Sequence, residues 1–208
     1  MDFDAYEYLW PPRPERSIPT NLLAMYQKRG WIAQAKMNGT CNVLAVSPTK
    51  EIVAMNRHKE THKLWTPTAA SSAAFKALPG KGWYVFVTEL LHSKVQGLRD
   101  INYIHDVLVA NGDYLVGKTM VERQDILSKL FLTDKNEEEN THHVINKNTW
   151  LVKNRLANFG AFYESLDKPE HEGLVLKNPN APLAYCFKQS SNADWSVKCR
   201  KQHKNYSF

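Results

Sequence analysis

Apolar residues recur in short blocks along the chain, and their spacing sorts them into strands and helices. Alternating or continuous apolar runs over residues 31–36, 41–47 and 52–56 read as three strands. With Ser47-Pro48-Thr49-Lys50 as a turn, they suggest an antiparallel meander. Residues 69–78 are alanine-rich and helical in pattern, stopped by Pro79-Gly80. Strong strands follow at 83–91 and 101–109, then a turn at Asn111-Gly112-Asp113. A helix over 120–132 has apolar positions at 120, 121, 126, 127, 130 and 131. Residues 150–166 hold another helix that Gly160 threatens to break, and 173–176, 184–188 and 195–200 read as the last strands. At the start, residues 1–19 carry Phe3, Tyr6, Tyr8 and Trp10, then Pro11, Pro12, Pro14 and Pro19, so an extended arm without a regular element is expected. Thr20-Asn21 caps a short helix through Tyr26, ended by Gly30. The charged stretch 135–141, with Glu137-Glu138-Glu139, reads as a disordered loop. No repeat and no linker divides the chain. The expectation is one α+β domain over 1–208, with largely antiparallel sheets and flanking helices.

Composition narrows the class. At 43% hydrophobic and 23% charged residues the chain is globular in type, and no apolar run approaches the roughly 20 residues of a bilayer span. The first residues are acidic where a signal peptide is basic, so a cytoplasmic monomer is expected. Cys41, Cys186 and Cys199 are odd in number and lack CxxC spacing, which argues against a disulfide framework or a zinc site. His58, His62, His142 and His143 read as polar surface residues. The net charge of +6 is uneven: Lys177, Lys188, Lys198, Arg200, Lys201 and Lys204 face a single late acid, Asp194. Such a basic end fits a polyanionic partner and fits a solubilising tail equally well.

Candidate chemistry centres on Gln34-Ala35-Lys36-Met37-Asn38-Gly39. A lysine ending an apolar strand before a tight-turn glycine can present its amine to a cleft. Burial and nearby cations favour the neutral, nucleophilic form of such an amine. Alone, the hexapeptide reads as a surface lysine beside a hairpin turn, because K-x-N-G is short and recurs by chance. Glu89 follows Val85-Phe86-Val87-Thr88, and Glu172 opens Gly173-Leu174-Val175-Leu176. Such an acid can point into a cleft, but each alone is more often a solvated edge residue. In Trp195-Ser196-Val197-Lys198-Cys199-Arg200, alternation puts Lys198 and Arg200 on one face, where they repel unless an anion such as phosphate lies between them.

Taken in order, these pieces resemble the covalent nucleotidyltransferases: ATP-dependent DNA and RNA ligases and mRNA capping enzymes. Lys36-Met37-Asn38-Gly39 is similar to the family's K-x-D-G, and Arg57 sits where the family carries an arginine after the next hairpin. Phe86 to Leu90 resembles the strand ending in the ribose-binding glutamate, here Glu89. Tyr103 to Val107 resembles the adenine-stacking segment. Glu172 to Lys177, EGLVLK, matches E-G-x-V-x-K, and Val197 to Arg200 resembles the final K-x-K strand. The resemblance spans residues 31–201. Three departures stand out. Asn38 replaces Asp, which tilts the reading toward RNA ligases, since RNA-repair and RNA-editing ligases also tolerate a non-acid there. Arg200 replaces the second lysine, keeping the charge and adding a planar fork. His105 replaces the usual aromatic, for weaker stacking.

The resemblance implies an adenylation domain with an ATP-grasp-like cleft. Lys36 would be the nucleophile that takes AMP from ATP, assisted by Lys198 and Arg200. Gln34, Arg57, Glu89, His105 and Lys177 would complete the ATP site, and Glu172 would hold Mg²⁺ or Mn²⁺. Lys188, Lys201 and Lys204 would contact nucleic acid, with a nicked duplex bearing 5′-phosphate and 3′-hydroxyl ends as the partner. An RNA ligase is the first expectation, a minimal DNA ligase sealing nicks in DNA or hybrid duplexes the second, and a non-catalytic nucleic-acid binder the remotest. Capping is disfavoured, because so few residues follow Arg200 that the oligonucleotide-binding barrel on which that step depends is expected to be missing. A bare ligase of this size suits a phage or virus, acting in the host cytoplasm.

Overall fold

The computed structural model describes residues 7–185 and 192–201. The described strands form two sheets. The first has the order β1-β12-β11-β2, where β1 is Arg13–Ser17, β2 Ile32–Met37, β11 His171–Lys177 and β12 Asn192–Arg200. The second runs β4-β3-β5-β6-β10-β9-β8: β3 is Thr40–Val46, β4 Ile52–Met55, β5 Tyr84–Leu91, β6 Ile101–Ala110, β8 Glu137–Glu138, β9 His142–Asn146 and β10 Thr149–Val152. A short β7, Asp113–Tyr114, pairs with β6 after the expected turn. Among the described strands only β1 with β12 and β10 with β6 pair in parallel, so the sheets are largely antiparallel as expected.

Alternation gives each strand of the first sheet two functions. Ala33, Ala35, Leu174, Leu176, Val197 and Cys199 point to one face and are buried. They pack against Leu23 and Tyr26 of α1 (Leu23–Lys28) and Phe159, Phe162 and Tyr163 of α4 (Phe159–Glu164). The second sheet is covered by α2 (Ala69–Lys76) and α3 (Met120–Phe131), where Phe75, Phe86 and Phe131 meet at centroid separations of 5.4–5.8 Å. Each such buried side chain stabilises the fold by roughly 1.5–3 kcal/mol. Both helices start on a reciprocal capping box, Thr68 with Ser71 and Thr119 with Glu122.

Four expectations change. The strands at 31–36, 41–47 and 52–56 are not a meander: β2 belongs to the first sheet, β3 and β4 to the second. Asn38-Gly39 therefore carries the chain between sheets, its geometry fixed by a 2.8 Å bond from the Asn38 N–H to the Glu170 carbonyl. The N-terminal arm is not wholly irregular, because β1 forms at a sheet edge, where Pro14 sacrifices no ladder bond that the sheet needs. The charged stretch 135–141 is tied down by β8 pairing with β9. The start of the 150–166 block is strand β10, with the helix confined to Phe159–Glu164. The expected strand at 184–188 lies largely outside the described residues. No helix among the described residues is long and apolar enough to cross a membrane.

Candidate active site

The two sheets face each other across a cleft of about 810 Å³. Nine sequence-predicted residues line it: Gln34, Lys36, Arg57, Glu89, His105, Glu172, Lys177, Lys198 and Arg200. Register explains the convergence on the first sheet. Gly173 lies opposite Lys36 on one side and Arg200 on the other, and Val175 lies opposite Gln34 and Lys198. Directly opposed residues share a face, so the predicted nucleophile and both terminal cations project into the cleft.

Strict alternation would turn Glu172 away. The register shifts between His171 and Gly173, and Gly173 takes φ +122°, which aims Glu172 into the cleft. A Cβ at position 173 would stand 2.1 Å from the Cys199 carbonyl oxygen. Glu172, only 7% exposed, accepts a hydrogen bond and ion pair from Lys36 Nζ. The second carboxylate comes from β5. Glu89 Oε1 accepts from the Gly39 N–H at 3.1 Å, and a Cβ on Gly39 would sit 2.7 Å from Glu89 Cγ. Burial pushes the Glu89 carboxyl up to about 7 against the pull of Lys36 and Lys94, while Glu172 adds to the rise.

A bulge aims His105. Val87 pairs with Asp106 and Thr88 with Ile104, so the ladder skips His105. Burial, reinforced by Lys177, pushes its imidazole down to about 3, leaving a neutral ring. Gln34 is buried, its amide donating to Asn154 Oδ1 at 2.8 Å and Gln124 Oε1 at 3.5 Å, while Gln124 in turn donates to the His105 carbonyl at 3.0 Å. On the first sheet burial also lowers the Lys198 ammonium, with Arg200, Lys36 and Arg13 adding repulsion.

Lys177 rests on a support that its own motif does not announce. Asp106 and Arg123 form a fully buried bidentate pair at 2.8 and 3.0 Å, joining β6 to α3. Burial alone would raise the Asp106 carboxyl, yet Arg123 holds it below its ordinary value. The Lys177 amine donates to the His105 carbonyl at 3.3 Å, and burial pulls it down to about 8 with Asp106 resisting. Asp106 and Arg123 stand 17 residues apart on different elements, a spacing that offers no sequence signal for this pair; the aspartate directly after His105 in the stacking segment was the available clue. Arg13 and Lys94 were also missed as cleft residues.

Other predicted residues lie elsewhere. Lys201 points to α4, donating to the Glu164 carbonyl at 3.4 Å with its amine over the Tyr163 ring, and does not line the cleft. Lys188 and Lys204 lie outside the described residues. His142 is buried and stacked on Trp150 at 4.0 Å rather than a surface residue, because β9 and β10 bring the rings together. Among the described residues no group of three or more His, Cys, Asp or Glu could hold a metal. Mg²⁺ needs no such cage, since it takes one or two carboxylates plus phosphate oxygens, and Glu172 lines the cleft.

Two sheets closing on a lysine, two carboxylates and a row of cations make the fold of ATP-dependent ligase adenylation domains. The chain belongs to the ATP-dependent DNA ligase domain family, whose model matches residues 50–196. Lys36, Lys198 and Arg200 lie beyond that span and are tied to it through β11. Among solved structures, mycobacterial DNA ligase D complexed with ATP is similar at TM-score 0.64 and 15% identity, over 96% of this chain and 62% of that one. The ATP-dependent DNA ligase of bacteriophage T7, in complex with ATP, gives 0.55 and 12% over 92% and 68%. An archaeal ATP-dependent RNA ligase gives 0.51 and 14% over 91% and 48%. The chain thus spans about three fifths of the length of the mycobacterial ligase it matches. No curated protein sequence matches it.

Proposed function

We propose that this protein is an ATP-dependent polynucleotide ligase that joins 5′-phosphate and 3′-hydroxyl ends through a lysyl-AMP intermediate. The observation that carries this reading is the Lys36–Glu172 contact in a cleft lined by Lys198 and Arg200. In the first step Lys36 Nζ attacks the α-phosphorus of ATP. An N–P bond forms, the bond to pyrophosphate breaks, and the amine loses its proton. The free amine is the attacking species, so the ion pair with Glu172 must open first. An oxygen of the nucleic acid 5′-phosphate then displaces the Lys36 amine from the adenylate. Finally the 3′-hydroxyl attacks that 5′-phosphate and AMP leaves.

The chain's contribution is positioning and charge. Lys198, Arg200 and Arg57 supply cations for phosphate oxygens. Neutral His105 supplies a flat face for the adenine, Glu89 an acceptor for ribose hydroxyls, and the Gln34 cluster a polar edge for the base. Glu172 would hold Mg²⁺, which when bound neutralises phosphate charge.

Asn38 favours RNA at the joined ends. The family match to DNA ligases supports a second reading, nick sealing in DNA or hybrid duplexes. Sealing assays on all-DNA, all-RNA and mixed nicked duplexes test both. Faster sealing where RNA flanks the nick supports the first reading, equal or faster sealing of all-DNA the second. No sealing of any duplex by a protein that adenylylates itself would reject the polynucleotide substrate.

A further inference from the structure

We infer that Arg13 is a phosphate-binding residue of this cleft and takes the polyphosphate tail of the nucleotide. The inference rests on the nucleotide-binding reading above. Arg13 opens β1, and parallel pairing sets it opposite Asn192 at the start of β12. β12 also carries Lys198 and Arg200, so β1 delivers a third cation to the same wall. Its fork is held rather than loose: Nη2 donates to Asn192 Oδ1 at 3.0 Å.

Two observations suit Arg13 to an anionic ligand. Arg13 Nε is buried, yet has no hydrogen-bond partner among the described residues. A buried guanidinium N–H without an acceptor is costly, and a phosphate oxygen is the acceptor its planar fork fits best. The second observation is charge. Arg13 is close enough to Lys198 to help push that ammonium down, as do Arg200 and Lys36. Four cations thus crowd one wall, and Glu172 on the same sheet is already bonded to Lys36. A polyphosphate would relieve the crowding; a single phosphate monoester carries too little charge to engage all four.

The test is the Arg13→Ala variant beside Arg13→Lys. Inorganic tripolyphosphate is titrated into each, followed by tryptophan fluorescence, since Trp195 lines the same cleft. This binding assay needs no catalysis, so it remains informative even if the ligase reading fails. The tripolyphosphate dissociation constant is expected to rise about tenfold in Arg13→Ala, with part of the loss restored in Arg13→Lys. The KM for ATP in self-adenylylation should rise in parallel, while sealing of a pre-adenylylated nick stays within about twofold. An unchanged tripolyphosphate affinity overturns the inference. So does a variant that loses only the sealing of pre-adenylylated ends, which would assign Arg13 to the polynucleotide backbone.

Discussion

Glu89 shows how much the cleft's electrostatics rest on single residues. Its carboxyl sits at about 7 in the folded protein against 4.5 ordinarily, because burial outweighs Lys36 and Lys94. The folded state therefore holds this proton more tightly than the unfolded chain does. The stability it contributes is fully present below pH 4.5 and is lost as pH rises through about 7. Glu89→Gln removes that loss. Thermal unfolding of the two proteins without nucleotide should coincide at pH 4.5 and diverge above it, with the glutamine variant more stable at pH 8. Curves that stay parallel across that range would contradict the assignment. The cleft residues themselves were legible because motif residues fall at strand positions of one parity: Gln34 and Lys36, then Lys198 and Arg200. Glu172 was legible only as a motif match, since its direction depends on a backbone irregularity at Gly173 that alternation does not reveal. Arg13 was hidden by its prolines, which read as breakers although β1 needs only an edge.

Among elements, the joint between α3 and β6 decides whether the cleft floor stays in place. Arg123 and Asp106 are both buried and paired through two short bonds. Asp106→Asn leaves a buried guanidinium without its counter-charge and should cost roughly 3–5 kcal/mol in denaturant unfolding. Replacing both residues together by Leu and Met should cost markedly less, because no uncompensated charge remains. A single variant within about 0.5 kcal/mol of wild type would show that the pair does not hold the joint. Long periodic elements such as α3 and β5 were legible within a residue or two. The sheet membership of β2 was not, because a two-residue connection usually marks a hairpin and here crosses between sheets. The β8–β10 region was misread for a related reason. Its glutamates and asparagines resemble loop composition, and the pairing of β10 with β6 is set by contacts distant in sequence.

At the scale of the whole molecule, the described strands form two sheets that meet at a cleft carrying the charged residues, with helices packed against the apolar cores. The first sheet contributes Lys36, Glu172, Lys198 and Arg200, and the second Glu89 and His105. Nothing local in the sequence says that these two groups meet; the order of motifs said so, and the sheet pairing shows how. The central claim is that Lys36 carries AMP during turnover. Protein incubated with Mg²⁺ and ATP labelled at the α-phosphorus, then denatured and resolved on a gel, tests it most directly. The wild type should retain an acid-labile label that ATP labelled at the γ-phosphorus does not give, and a folded Lys36→Ala variant should retain none. A wild type without label, or a label that survives in Lys36→Ala, would contradict the account.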